Sequence, residues 1–285
     1  MNKWTIAVAQ IDTAVGDVKK NIAKHLEYTR RAKEGGADVV IFPELSLTGY
    51  SIKDLNWNLA LRVDDTTALS DLLRVSDDCS VLSGAVEEST GYGIYNAAFL
   101  FEKGRVQSVH RKIYPPTYGM FEESRYFSKG NTVRAFDTAV GRVGVVICED
   151  LWHVSLPYLL ALDGAEVIFC MAASPTRLTG SDPHLQIAQV NNEQHKAIAR
   201  LLSTYIVFCN RVGYEDGINF WGGSEIISPY GDNIIRARFF EEDLVFAEID
   251  PNDVRRARRL SRHFLDENVR LTLAELTRIA DRQGG

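Results

Sequence analysis

"VGVVICEDLWH", Val143 to His153, opens with five apolar residues in its first six, and four of them are β-branched. A run this short, β-branched and without polar alternation is a strand covered on both faces. It ends on a thiol with two acids directly behind it. Carboxylates raise the pKa of a neighbouring thiol, so a reactive cysteine here needs another group to activate it.

Similar runs recur along the chain: TIAVAQI (5–11), DVVIFPE (38–44), AEVIFCMAAS (165–174) and IVFCNRVG (206–213). Between them lie helical patterns. DVKKNIAKHLEYTRRAKEGG (17–36) carries Val18, Ile22, Leu26 and Thr29 on one face and stops at Gly35-Gly36. The segment 57–75, SLPYLLALDG (155–164) and HLQIAQVNNEQHKAIARLLSTY (184–205) also read as helices. Hairpins interrupt this alternation, with turns at 102–105, near Gly141 and around Pro229–Asp232. Helices alternating with strands, broken by hairpins, indicate an α/β sandwich built on mixed sheets. No Pro/Gly/Ser-rich linker divides the chain. The expectation is one domain over 1–285 with a helical extension from about 251 to 285.

Composition is that of an ordinary globular protein: 285 residues, 45% apolar, 25% charged and a net charge of −6. That balance offers no basic field for nucleic acid. Five arginines between Arg255 and Arg262 read as the solvated face of a packing helix. Four cysteines without a CxxC pair fit a reducing compartment rather than a disulfide framework. No apolar run is long enough to cross a membrane. The expected location is cytoplasmic. No residue spacing suggests a metal site.

Three charged or reactive side chains sit at strand ends, where sites on covered sheets are built. Glu44 closes VVIFPE, Lys112 follows VQSVHR and Cys148 closes VGVVI. Singly, each has an ordinary explanation as a turn acid, a rim lysine or a core thiol. Together they supply a nucleophile, a base and an ammonium for a developing oxyanion, the minimum for acyl transfer.

The blocks FPELSLTGY (42–50), HRKIYPPTYGMFEESRYFSKG (110–130) and VICEDLWH (146–153) resemble, in this order, the three signature blocks of the nitrilase, or carbon–nitrogen hydrolase, superfamily. The resemblance spans nearly the whole chain. It implies a four-layer αββα sandwich with two mixed β-sheets, a Glu–Lys–Cys triad and no cofactor. By position, it makes Glu44 the general base, Lys112 the oxyanion-binding lysine and Cys148 the nucleophile. Glu123 matches the family's second active-site glutamate, and the Glu149 N–H its second oxyanion donor. The implied activity is hydrolysis of a small primary carboxamide with release of ammonia through a thioester.

The Cys-Glu-Asp-Leu-Trp block and YGMFEESRYF are most similar to the glutaminase domain of glutamine-dependent NAD synthetases. That similarity implies that Glu149 meets a substrate ammonium. Arg177, just after Ser174 in AASPT, is a candidate for a substrate carboxylate. Tyr50, Tyr118 and Trp152 are candidate pocket walls. The chain carries no SGGxDS loop for ATP chemistry. The expectation is therefore a free-standing amidase. The alternatives are a glutaminase serving a separate synthetase partner, a nitrilase, a Cys–His enzyme using His110 or His153, or an inactive binding protein. Family members pair through helices near the nucleophile, so SLPYLLAL implies a homodimer or a larger homo-oligomer. Asp150 has no implied role beyond capping the following helix.

Overall fold

The computed structural model describes residues 3–176 and 186–283. The chain begins with β1 (Trp4–Gln10), α1 (Val18–Glu34) and β2 (Val39–Ile41). Two short helices, α2 (Asn56–Leu59) and α3 (Ser70–Val75), precede the meander β3 (Ser80–Glu88), β4 (Ile94–Glu102) and β5 (Arg105–Arg111). After α4 (Glu123–Tyr126) come β6 (Phe136–Thr138), β7 (Gly141–Ile147), α5 (Ser155–Leu162), β8 (Val167–Ala172) and β9 (Pro175–Thr176). The long α6 (Gln186–Leu202) leads to β10 (Tyr205–Asn210), β11 (Val212–Glu215), β12 (Ile218–Trp221), β13 (Glu225–Ile227), β14 (Asn233–Arg236) and β15 (Asp243–Ile249). The chain finishes with α7 (Pro251–Leu260) and α8 (Val269–Gln283).

Two six-stranded sheets form, in the orders β15-β1-β2-β3-β4-β5 and β14-β13-β10-β8-β7-β6. Each is mixed. In the first, β1, β2 and β3 run parallel and their outer neighbours antiparallel. In the second, the parallel set is β7, β8 and β10. Strand periodicity sorts the side chains into layers. Ile6, Val8, Ile41 and Leu82 face Val145, Ile147, Phe169 and Val207 between the sheets. Ala7, Ala9, Val40 and Val81 face Tyr28 and Ala32 of α1 and Leu72 of α3. Val146, Ile168 and Ile206 face Leu156 and Leu160 of α5 and Ala199 of α6. The result is the expected four-layer αββα sandwich.

Local differences from the sequence reading have local causes. Segment 57–75 is not one helix. Leu61 pairs with Glu87 as an isolated bridge, and Asp64 and Asp65 turn the chain by accepting from Arg62 and from the Ala68 N–H. A small third sheet, β11-β12-β9, has no counterpart in the sequence reading, because its strands are two to four residues long.

One close approach links the sandwich to the loops above it. Gly84 in β3 lies beneath the turn that carries Glu44. A Cβ there would sit 2.3 Å from the Leu45 nitrogen and 2.6 Å from the Pro43 carbonyl oxygen. The Leu47 N–H donates to the Gly84 carbonyl at 2.8 Å, holding the turn down. A side chain cannot enter without lifting this backbone. Gly84→Ala is expected to lower stability by about 1–3 kcal/mol, as overpacking does, with a matching shift in the urea midpoint.

Candidate active site

Glu44, Lys112 and Cys148 come from the ends of β2, β5 and β7, so the site bridges both sheets. Lys112 is almost fully buried, and its Nζ donates to Glu44 Oε1 at 2.7 Å and to Glu123 Oε1 at 2.8 Å. The far oxygen of Glu44 accepts from the Ala173 N–H at 2.9 Å. Tyr50 donates its hydroxyl to Glu123 Oε1 at 2.6 Å. Asn96, buried in β4, donates to Glu44 Oε1 at 2.7 Å and reaches Glu123 Oε2 at 3.5 Å.

Two carboxylates and one ammonium in a buried place leave one excess negative charge, which shifts the neighbouring titrations. Burial alone would push Lys112 down. Glu123 and Glu44 override it and hold the ammonium well above its ordinary range. Burial raises Glu123 to about 7, against the pull of Lys112. The Cys148 thiol is pushed well up, first by burial and then by Glu44, with Lys112 opposing. It therefore rests as a thiol and needs a base when it reacts.

Cys148 has φ +49, a left-handed backbone on a non-glycine residue. It heads a tight turn, Cys148–Trp152, that follows β7 directly. Glu149 is the second residue of that turn, where backbone N–H groups lack an acceptor within the turn. Asp150 holds the turn in place, but not as a cap for the helix that follows. Its carboxylate turns back. Oδ2 accepts from the Ile147 N–H at 3.1 Å and faces His110 Nε2 at 3.2 Å. Oδ1 accepts from the Ile113 and Tyr114 N–H groups at 3.0 and 2.9 Å. One buried carboxylate thus ties the loop after Lys112 to the turn that Cys148 heads. From the other side, the Gly130 N–H donates to the Lys112 carbonyl at 2.7 Å, so close that a Cβ on Gly130 would lie 2.2 Å from the Arg111 oxygen.

The remaining candidates divide. Glu149 lies within the turn, and its Oε2 accepts from the Tyr118 hydroxyl at 2.8 Å. Burial and this bond raise the Tyr118 phenol to about 12. Trp152 and Ser174 line a small cavity with Cys148, Cys170, Gln194 and His195. Ser174 Oγ accepts from Trp221 Nε1 at 3.0 Å. Tyr50 packs its ring edge against Phe220 and borders a cleft of about 190 Å³ with Met120, Phe121, Phe127 and Ile218. Arg177 lies outside the described residues. His110 is engaged by Asp150, and His153 stacks on Tyr114, so these contacts give no support to a Cys–His pair. Among the described residues no group of three or more His, Cys, Asp or Glu side chains could hold a metal. No helix among them is long and apolar enough to cross a membrane. Asn96 is the polar contact that sequence reasoning missed. Its one signal is an amide inside the otherwise apolar run YNAAFLF (95–101).

A family model described as Carbon-nitrogen hydrolase matches residues 5–259. Over 255 residues the chain is 31% identical to a glutamine-dependent NAD(+) synthetase of Acinetobacter baylyi, covering 88% of this chain and 45% of that protein. The solved structure of a glutamine-dependent NAD+ synthetase from Acinetobacter baumannii, in complex with adenosine diphosphate, superposes with a TM-score of 0.80. It is 30% identical, over 89% of this chain and 47% of that one. A carbon-nitrogen hydrolase from Helicobacter pylori has the same fold, with a TM-score of 0.86 at 22% identity over 96% of this chain and 99% of its own. The chain spans less than half the length of the synthetases it matches.

A carboxyl whose folded pKa is about 7, above its ordinary 4.5, favours folding at low pH. That stabilisation is full below the unfolded pKa and is lost as pH rises toward the folded one. Urea unfolding should therefore show stability falling between about pH 4.5 and 7, and Glu123→Gln should flatten that fall.

Proposed function

The chain belongs to the carbon–nitrogen hydrolase family, and from that membership we propose that it hydrolyses a small primary carboxamide through a Cys148 thioester and releases ammonia. The observation that carries this reading is the Lys112 ammonium shared between Glu44 and Glu123, beside the turn that Cys148 heads. As the sulfur attacks the carbonyl carbon, Glu44 takes the thiol proton. Negative charge moves to the carbonyl oxygen, where Lys112 Nζ and the Glu149 N–H receive it. When the tetrahedral intermediate collapses, Glu44 returns the proton to nitrogen and NH3 leaves. Water then gives a proton to Glu44 and its oxygen attacks the thioester carbon. The thiolate departs and regains its proton from Glu44. The balance is amide plus water to carboxylic acid plus ammonia, with the thiol regenerated. Glu123 stays paired with Lys112 throughout and orients the ammonium.

A second observation favours one class of substrate. The Glu149 carboxylate, joined to Tyr118, puts an acid beside the nucleophile that suits an amide bearing an ammonium group, as glutamine does. The synthetase relatives are named for their dependence on glutamine. In that reading the ammonia passes to a synthetase activity.

Ammonia release across glutamine, asparagine, aliphatic amides and nitriles tests both readings. We expect release from amides, highest with glutamine, and none from Cys148→Ala. Hydrolysis by Cys148→Ala at the parent rate would overturn the mechanism. Glu149→Gln should raise the KM for glutamine more than that for an aliphatic amide.

We further infer self-association through the outer face of α5, where Leu159 and, just before the helix, Val154 are exposed. Light scattering at micromolar concentration should give a dimer or larger, and a monomer would contradict this.

A further inference from the structure

We infer that the buried Arg211–Glu215 ion pair positions the acid–base cluster, acting through the backbone and hydroxyl of Tyr50. The inference rests on the hydrolase reading of that cluster. Arg211 follows β10 and Glu215 ends β11, and both side chains are shut off from solvent. The guanidinium donates to Glu215 Oε1 and, at 3.0 Å, to Asp12 Oδ1. It also donates to the Val212 carbonyl at 3.3 Å and lies 4.4 Å from the centre of the Phe220 ring. Thr13 adds its hydroxyl to Glu215 Oε1 at 3.2 Å.

The other oxygen of Glu215 faces elsewhere. Oε2 accepts from two successive N–H groups, Tyr50 at 2.9 Å and Ser51 at 2.8 Å. Two adjacent N–H groups meeting one charged oxygen fix the direction of the peptide between them, and with it the Cα–Cβ bond of Tyr50. The Tyr50 hydroxyl then meets Glu123 at 2.6 Å, and Glu123 meets Lys112. The Tyr50 ring also leans on Phe220, the ring that Arg211 covers.

The surroundings leave little slack. Gly49 has φ +83, and a Cβ on it would lie 2.7 Å from Val15 Cα and 3.4 Å from Glu215 Oε1. A buried ion pair adds little net stability against an apolar replacement. Here it supplies direction, carried from the third sheet to Glu123.

The test is a double-mutant cycle on the full chain with Glu215→Gln and Tyr50→Phe. Glutamine keeps an acceptor for one side of the pair only, because its amide nitrogen must face either the guanidinium or the two N–H groups. Each single variant is expected to lower kcat about tenfold, within the range that a small misplacement produces, with KM little changed. The double variant should fall no further than Tyr50→Phe alone. The rate of Cys148 alkylation by iodoacetamide, read by peptide mass, should show the same non-additivity without any substrate. Effects that multiply in the cycle, or Glu215→Gln with parental kcat and a native melt, would overturn the inference. If the parent protein releases no ammonia, the hydrolase reading fails, and the alkylation cycle still decides this one. Should Glu215→Gln not fold, Asp12→Asn replaces it in the cycle. Asp12 is half exposed and anchors only the outer side of Arg211.

Discussion

A single ammonium organises this molecule's site. Lys112 is 1% exposed and cannot stay charged there without partners. It has two, and the pair outnumbers it by one negative charge. Three further polar groups answer that imbalance. Tyr50 donates to Glu123, Asn96 donates to both acids, and the Ala173 N–H meets the free oxygen of Glu44. What remains is absorbed by proton affinity: burial holds the Glu123 carboxyl at about 7, and burial and Glu44 push the Cys148 thiol well up.

Such a cluster needs walls that do not yield, and the backbone supplies them. The Glu44 turn rests on Gly84, with Leu45 in a left-handed conformation. The Lys112 carbonyl is held by the Gly130 N–H, and the next two N–H groups, of Ile113 and Tyr114, by the Asp150 carboxylate. Cys148 itself carries positive φ at the junction of strand and turn. Each of these devices is a backbone conformation or a contact made to the backbone. Their common effect is to fix where three strand ends point, so that long, flexible side chains reach one place without searching for it.

The layered fold was legible because its strands are fully covered. Runs such as VVIF and VIFCMA admit no other placement, and the inter-sheet and helix-facing sets alternate as the strand period requires. The convergence of Glu44, Lys112 and Glu123 was legible because their residue types and the surrounding blocks were distinctive. Asn96 was less so, since one amide in a strand does not reveal which acid it faces across the sheet. Asp150 was visible but misread: it does not cap the helix that follows but reaches back to the Ile147 N–H, as an acid at the third position of a turn does, and sideways to Ile113. The short strands β9, β11 and β12 left no periodic trace. Their pairing depends on residues far apart in sequence, as in Asn219 opposite Thr176. The long helix expected over 57–75 failed where Asp64 and Asp65 turned the chain locally.

The Glu44–Ala173 contact and the grip of Asp150 on Ile113 and Tyr114 share one further property: each joins a loop of one sheet to a loop of the other. They act as rivets across a seam. The ammonium is mounted on one plate and the sulfur on its neighbour, with a largely apolar layer that includes Ile41, Leu82, Ile147 and Phe169 between the two. The molecule thereby becomes a gauge of its own shear. A slip between the plates too small to register as unfolding would part the sulfur from the ammonium.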